Sequence, residues 1–150
     1  MEYKKDKRTK NLTLRDIHVG DWVQVWSDTT ERYSPLRKIT QICDDGTVYL
    51  EGSEEERSAL WVENIKNVDA LEITRELLEG FGFEVIPRKY TEDVFDVLWR
   101  GRKICEFYEP SNYILVETTI KLYKYCHELI TYMYDTFPLS FKLEWKGVQQ

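Results

Sequence analysis

Residues 118–137, TTIKLYKYCHELITYMYDTF, carry the longest helical periodicity in the chain, and a segment of that length dictates what must pack around it. On a 3.6-residue wheel Leu122, Tyr123, Cys126, Leu129, Ile130, Met133, Tyr134 and Phe137 share one broad face, with Lys121, Lys124, Glu128 and Asp135 opposite. The pattern predicts a core-facing helix from Thr118 to Phe137. Thr118 or Thr119 can cap it, since a threonine hydroxyl accepts from a first-turn amide, and Pro138 enforces its end.

The first half of the chain has a different period. Ile17 to Trp26 passes a Gly20-Asp21 turn into alternation, with Val23 and Val25 on one face and Trp22, Gln24 and Trp26 on the other. Leu36 to Cys43 and Thr47 to Glu51 flank Asp44-Asp45-Gly46, a tight turn in which glycine takes positive φ without a steric penalty. Short strands follow at Ala59 to Val62 and Ile65 to Val68. Four or five short strands in about 55 residues predict a small SH3-like antiparallel barrel or a curved sheet.

After Asp69-Ala70 the pattern becomes mixed. Thr74 is placed to cap a short helix over Arg75 to Phe81, which Gly82 ends, and Phe83 to Ile86 is extended. Val94 to Glu109 reads as a hairpin turning at Arg100-Gly101, apolar on both faces and so expected to lie between the long helix and other material. Tyr113 to Val116 and Leu139 to Trp145 complete the strands. The fold class is therefore α+β. Residues 1–11 are assigned to a basic, disordered tail and residues 12–150 to one domain, with a barrel-like half (12–69) and a hairpin and long-helix half (70–150).

Charge narrows the partners. The chain carries a net −6, of which the first ten residues contribute +3 and the remaining 140 contribute −9. An acidic body repels a phosphate backbone and releases no counterions, which argues against direct nucleic-acid contact except through the basic tail. No apolar run is long enough to span a membrane and none follows the N-terminal charges as in a signal peptide, so a cytoplasmic protein is expected. Cys43, Cys105 and Cys126 are odd in number and sit in apolar patterns, as reduced core thiols do.

Catalytic motifs are sparse. His127-Glu128 lacks a second histidine one turn on, where a zinc hydrolase needs it; that position is Thr131. Gly80 and Gly82 lack the third glycine of a dinucleotide fingerprint, and Glu54, Glu55 and Glu56 have no metal-ligand spacing. No cofactor or metal is expected. The aromatic content is more telling: five tryptophans and ten tyrosines exceed what a core of this size needs. Tyrosine and tryptophan concentrate at binding hot spots because they bury large area at little entropic cost. Tyr125 and Tyr132 on the helix flank, His127 beside them, Trp26 on a strand expected to be partly covered on both faces, and the acidic loop Glu54, Glu55, Glu56 are the candidate partner-binding residues.

Three short motifs together resemble a family of small uncharacterised proteins of gut Bacteroidetes, their phages and mobile elements. They are Leu14-Arg15 with Val19-Gly20-Asp21-Trp22-Val23, Ile73-Thr74-Arg75-Glu76-Leu77-Leu78 with Gly82-Phe83, and Tyr125-Cys126-His127-Glu128-Leu129. Arg75 stands where that family usually has proline, and Ile130 where it has glutamine. The resemblance implies one α+β unit in a mobile-element setting and supplies no activity. The expected function is a non-enzymatic binding module for a protein or nucleoprotein, such as an inhibitor of a host defence effector. A homo-oligomeric assembly protein is the first alternative, and a hydrolase using His127 and Glu128 the second.

Overall fold

A computed structural model describes residues 7–52, 60–116, 121–137 and 143–145. The chain divides into two compact units, Met1–Leu71 and Glu72–Gln150.

In the first unit the alternation around Gly20-Asp21 and Asp44-Asp45-Gly46 becomes strands β1 (Trp22–Ser27), β2 (Arg32–Tyr33), β3 (Arg37–Ile42), β4 (Thr47–Glu51), β5 (Leu60–Asn64) and β6 (Val68–Asp69). They form one antiparallel sheet in the order β2-β1-β3-β4-β5, with β6 also on β1. β1 changes neighbour along its length: Trp22 and Val23 pair with β3, Gln24 and Val25 with β6, and Trp26 and Ser27 with β2. Sharing one strand among three partners curls the sheet into a half-barrel around fully buried Val23, Ile39, Val48, Leu50 and Val68. The stretch expected to run as a strand from Ile65 is instead a turn of 3₁₀ helix, Ile65–Asn67, capped by Asn64, whose side chain accepts from the Lys66 amide.

Residues 8–11 are held on this sheet, in contrast to the disordered arm expected there. The Lys10 carbonyl accepts from the Ala70 amide at 2.8 Å, the Leu12 amide donates to Val68 at 2.9 Å, and Asn11 bridges Asp69. The cause is the carboxylate of Asp69, which is wholly buried. Arg8 donates to it through Nε (2.9 Å) and Nη2 (2.8 Å), and the Tyr33 hydroxyl donates at 2.7 Å. A carboxylate inside a fold requires a cation, and the tail supplies it.

In the second unit α1 (Arg75–Gly80) begins as expected, with Thr74 Oγ1 accepting from the Leu77 amide at 3.1 Å, and ends at Gly82 in the left-handed region (φ 95°). Strands β7 (Glu84–Pro87), β8 (Val94–Trp99), β9 (Arg102–Tyr108), β10 (Tyr113–Val116) and β11 (Lys121–Tyr123) form an antiparallel sheet in the order β11-β10-β9-β8-β7. The β8–β9 hairpin turns at Arg100 and Gly101, both at positive φ. Helix α2 (Cys126–Thr136) follows.

The long helix is thus half its expected length. Lys121 to Tyr123 pair with β10, because the β-branched and aromatic run before Tyr125 suits a pleated strand, and the helix starts where Glu128 can accept from the amides of Lys124 (3.2 Å) and Tyr125 (3.1 Å). Leu122, assigned to the core by the helical wheel, is 62% exposed, and Tyr134 is also exposed. Thr118, Thr119 and residues 138–142, including most of the expected last strand, lie outside the described residues.

Trp145 accounts for a glycine. Its ring packs edge-on against Phe81 (centroids 5.0 Å apart), and a Cβ on Gly80 would lie 2.2 Å from it. Gly80→Ala should destabilise this unit by on the order of 1 kcal/mol, since overpacking costs about 2 kcal/mol and helix propensity returns about 1. Urea unfolding checks the value. In the Trp145→Ala background the same substitution should become neutral or stabilising.

Candidate functional site

Directly opposed residues of an antiparallel pair share a face, so Leu50 opposite Trp61 and Val48 opposite Glu63 place the side chains of Trp61 and Glu63 on the concave face of the half-barrel. Ile39 opposite Leu50 and Arg37 opposite Val23 put Arg37 there as well. Val48, Leu50 and Ile39 fill that face, while toward its rim the lining turns polar and aromatic. Among the described residues neither β2 nor β5 has a second strand neighbour. Beside these edges lies a cleft of about 270 Å³ lined by Arg32, Tyr33, Arg37, Trp61 and Glu63. Ser27, Thr30 and Ser34 contribute hydroxyls to the lining.

Its main groups are held by neighbours. The Arg37 guanidinium lies 3.7 Å from the centroid of the Trp61 ring, and Arg37 is only 6% exposed. Stacking on the indole holds the planar guanidinium in a fixed orientation. Tyr33 packs edge-on against Trp26 (4.9 Å, 66°), its hydroxyl accepts from the Thr9 amide at 2.6 Å, and burial pushes its phenol pKa up. A cleft whose aromatic and cationic walls are already fixed loses little entropy when it binds. Among the described residues its lining combines two arginines, a tyrosine and a tryptophan with three hydroxyl residues and one carboxylate.

The other residues singled out by sequence are dispersed. Trp26 is buried, with Nε1 donating to Asp28 at 3.0 Å and its ring edge-on to Tyr33. Tyr125 stands at the N-cap of α2, one residue before the helix, with its ring 6.1 Å from that of His127, and Tyr132 lies 6.3 Å from Tyr123. His127 is turned inward (7% exposed), Glu128 accepts from the amides of Lys124 and Tyr125, and the Lys124 side chain approaches Glu72 at 3.7 Å. Glu54, Glu55 and Glu56 lie outside the described residues. Among the described residues, no cluster of three or more His, Cys, Asp or Glu side chains could hold a metal ion, and no helix is long and apolar enough to cross a membrane. The three cysteines are free, and burial pushes the Cys105 thiol up to about 12, far from a nucleophile's range.

The hairpin of the second unit holds a polar cluster that the sequence reading took for apolar sheet. Asp96 and Glu106 are directly opposed on β8 and β9, and Glu106 is 3% exposed. Arg88 bridges both carboxylates, Lys103 reaches Glu106 at 3.1 Å and Asp96 at 3.3 Å, and the Tyr108 hydroxyl donates to Glu106 at 2.6 Å. That bond pushes the Tyr108 phenol up to about 12. Two acids against two bases cancel, so the cluster presents no net charge to a ligand. Comparison of the chain with known protein families, with curated proteins and with solved structures found no match.

Proposed function

We propose that this chain is a non-enzymatic binding module, that its partner is a protein or nucleoprotein, and that the cleft beside β2 and β5 is its binding face. The observation that carries this is the pre-set pair of Arg37 stacked on Trp61 at the mouth of an open half-barrel. Arginine and tryptophan in a formed pocket are the residues through which interfaces gain most of their affinity. The acidic run Glu54, Glu55, Glu56 falls in sequence between β4 and the cleft strand β5, which suits a basic rim on the partner. The resemblance to proteins of Bacteroidetes phages and mobile elements supplies the setting, in which such a module acts by occupying a surface of a host defence nucleoprotein.

Affinity capture from a Bacteroidetes host lysate, with and without nuclease, tests this. The tagged wild type is compared with an Arg32→Glu, Trp61→Ala variant whose circular dichroism matches it. The expected result is a stoichiometric partner retained by the wild type and lost by the variant. Equal retention by both would remove the cleft from the reading. Recovery of nothing but the 18.0 kDa chain itself, as a discrete oligomer, would replace it with an assembly role.

A further inference from the structure

Tyr33 belongs to the cleft and to the N-terminal segment at once. It lines the cleft and meets Trp26 edge-on, while its hydroxyl accepts from the Thr9 amide at 2.6 Å and donates to Asp69 Oδ2 at 2.7 Å. The same carboxylate oxygen accepts from Arg8 Nε at 2.9 Å. Residues 8–12 run antiparallel to β6 as a strap, bridged at Asn11 and Asp69, with Thr9 Oγ1 donating to the Ala70 carbonyl at 2.9 Å. We infer that this strap is a latch for the binding face: docked on Asp69 through Arg8, it holds Tyr33 in the cleft wall, and its release weakens the grip of the cleft on a protein partner. The inference rests on the reading of the cleft as the binding face.

Both halves of the latch are suited to the task. β2 is two residues long and pairs with β1 at two positions, so the hydroxyl bonds of Tyr33 add to a short ladder. The strap is exposed from residue 8 to residue 11 and buries Leu12, so it is held largely by polar contacts around an ion pair whose arginine is one-third exposed. A segment of that kind opens locally while the sheet beneath it stays folded. Opening withdraws the Thr9 donor and the Arg8 cation together, and the Tyr33 hydroxyl is left facing a carboxylate that has lost its charge partner. An occupant of the cleft then has to order the wall itself, which lowers affinity roughly three- to tenfold for one aromatic side chain. Linkage makes the effect reciprocal: an occupant that holds Tyr33 also holds the strap.

The test uses the full chain labelled with 5-fluorotryptophan. Trp26 is read as the fluorine resonance missing from Trp26→Phe, and Trp99 and Trp145, in the second unit, are internal references. Arg8→Ala should shift the Trp26 resonance and leave the two references in place, and Arg8→Lys, which keeps the charge, should shift it less. In Tyr33→Phe, which keeps the ring and removes the hydroxyl, the Leu12 and Ala70 amides that tie the strap to β6 should exchange about tenfold faster while the amides of β3 and β4 keep their rates. In lysate capture at limiting bait, Arg8→Ala should retain the partner roughly three- to tenfold less well than the wild type. An unmoved Trp26 resonance in Arg8→Ala, or equal acceleration of strap and β3–β4 amides in Tyr33→Phe, would overturn the inference. A partner lost by the cleft variant and held fully by Arg8→Ala removes the latch and leaves the binding face standing. A partner indifferent to the cleft variant, with the resonance and exchange changes as expected, removes the binding face and leaves the strap a brace for Tyr33.

Discussion

Arg8→Ala should destabilise the half-barrel unit by about 3 kcal/mol, the lower end of the range for removing one partner of a buried ion pair, because the Arg8 side chain is itself about one-third exposed. The loss comes from the acid left behind. Asp69 has no exposure of its own, and without Arg8 its carboxylate keeps, among the described residues, the Tyr33 hydroxyl at 2.7 Å and the Asn11 side-chain amide at 3.3 Å. Amide hydrogen exchange of β1 and β6, read separately from the second unit, measures the effect, since a chain of two units need not unfold in a single step. Asp69→Asn in the Arg8→Ala background should recover part of the loss, and a double-mutant coupling near zero would show that the tail is not held by this pair.

Stability of the same unit should rise as the pH falls from 7 toward 4. Asp21 is 1% exposed, and burial raises its carboxyl pKa from 3.8 to about 6, against the opposing effect of the His18 amide it accepts from at 2.7 Å. The folded form therefore binds its proton more tightly than the unfolded form. Its contribution is fully present below pH 3.8 and is lost as the pH rises through 6, an interval worth about 3 kcal/mol. Asp21→Asn keeps an oxygen for the His18 amide and cannot ionise. The wild-type minus mutant stability difference, followed by denaturant titration at several pH values, should drop by about that amount from pH 4 to pH 7. A flat difference would mean that Asp21 is solvated in the folded protein.

Local chemistry was legible in the sequence where one residue decides the backbone. Gly46 and the Arg100-Gly101 pair mark their turns through positive φ, and Thr74 and Gly82 bracket α1. The start of α2 was not legible, because apolar residues at 122, 123 and 126 fit a helical face and give no period-2 signal for the strand that Lys121 to Tyr123 form. Pairing with β10 decided between the two, and pairing is a tertiary fact. The candidate site was less legible. Arg32, Tyr33, Arg37 and Trp61 come from three strands and converge only because β1 divides its length among partners. Arg8 likewise reads as one more charge in a basic tail until Asp69, sixty-one residues on, is seen to be buried. A glutamate at position 106 amid ICEFY was the one hint that an apolar strand carried an ionic load.

The opposed acids of the β8–β9 hairpin also govern alignment. Asp96 and Glu106 lie on one face of the sheet, with Phe95, Val97, Cys105 and Phe107 on the other, and a slip of one residue between the strands would exchange those faces. Glu106 would then enter the apolar side while Arg88 and Asp96 stayed behind, separating charges that now cancel. A one-residue slip thus leaves a naked carboxylate in oil, so the cluster works as a proofreader that rejects the pairings on either side of the native one.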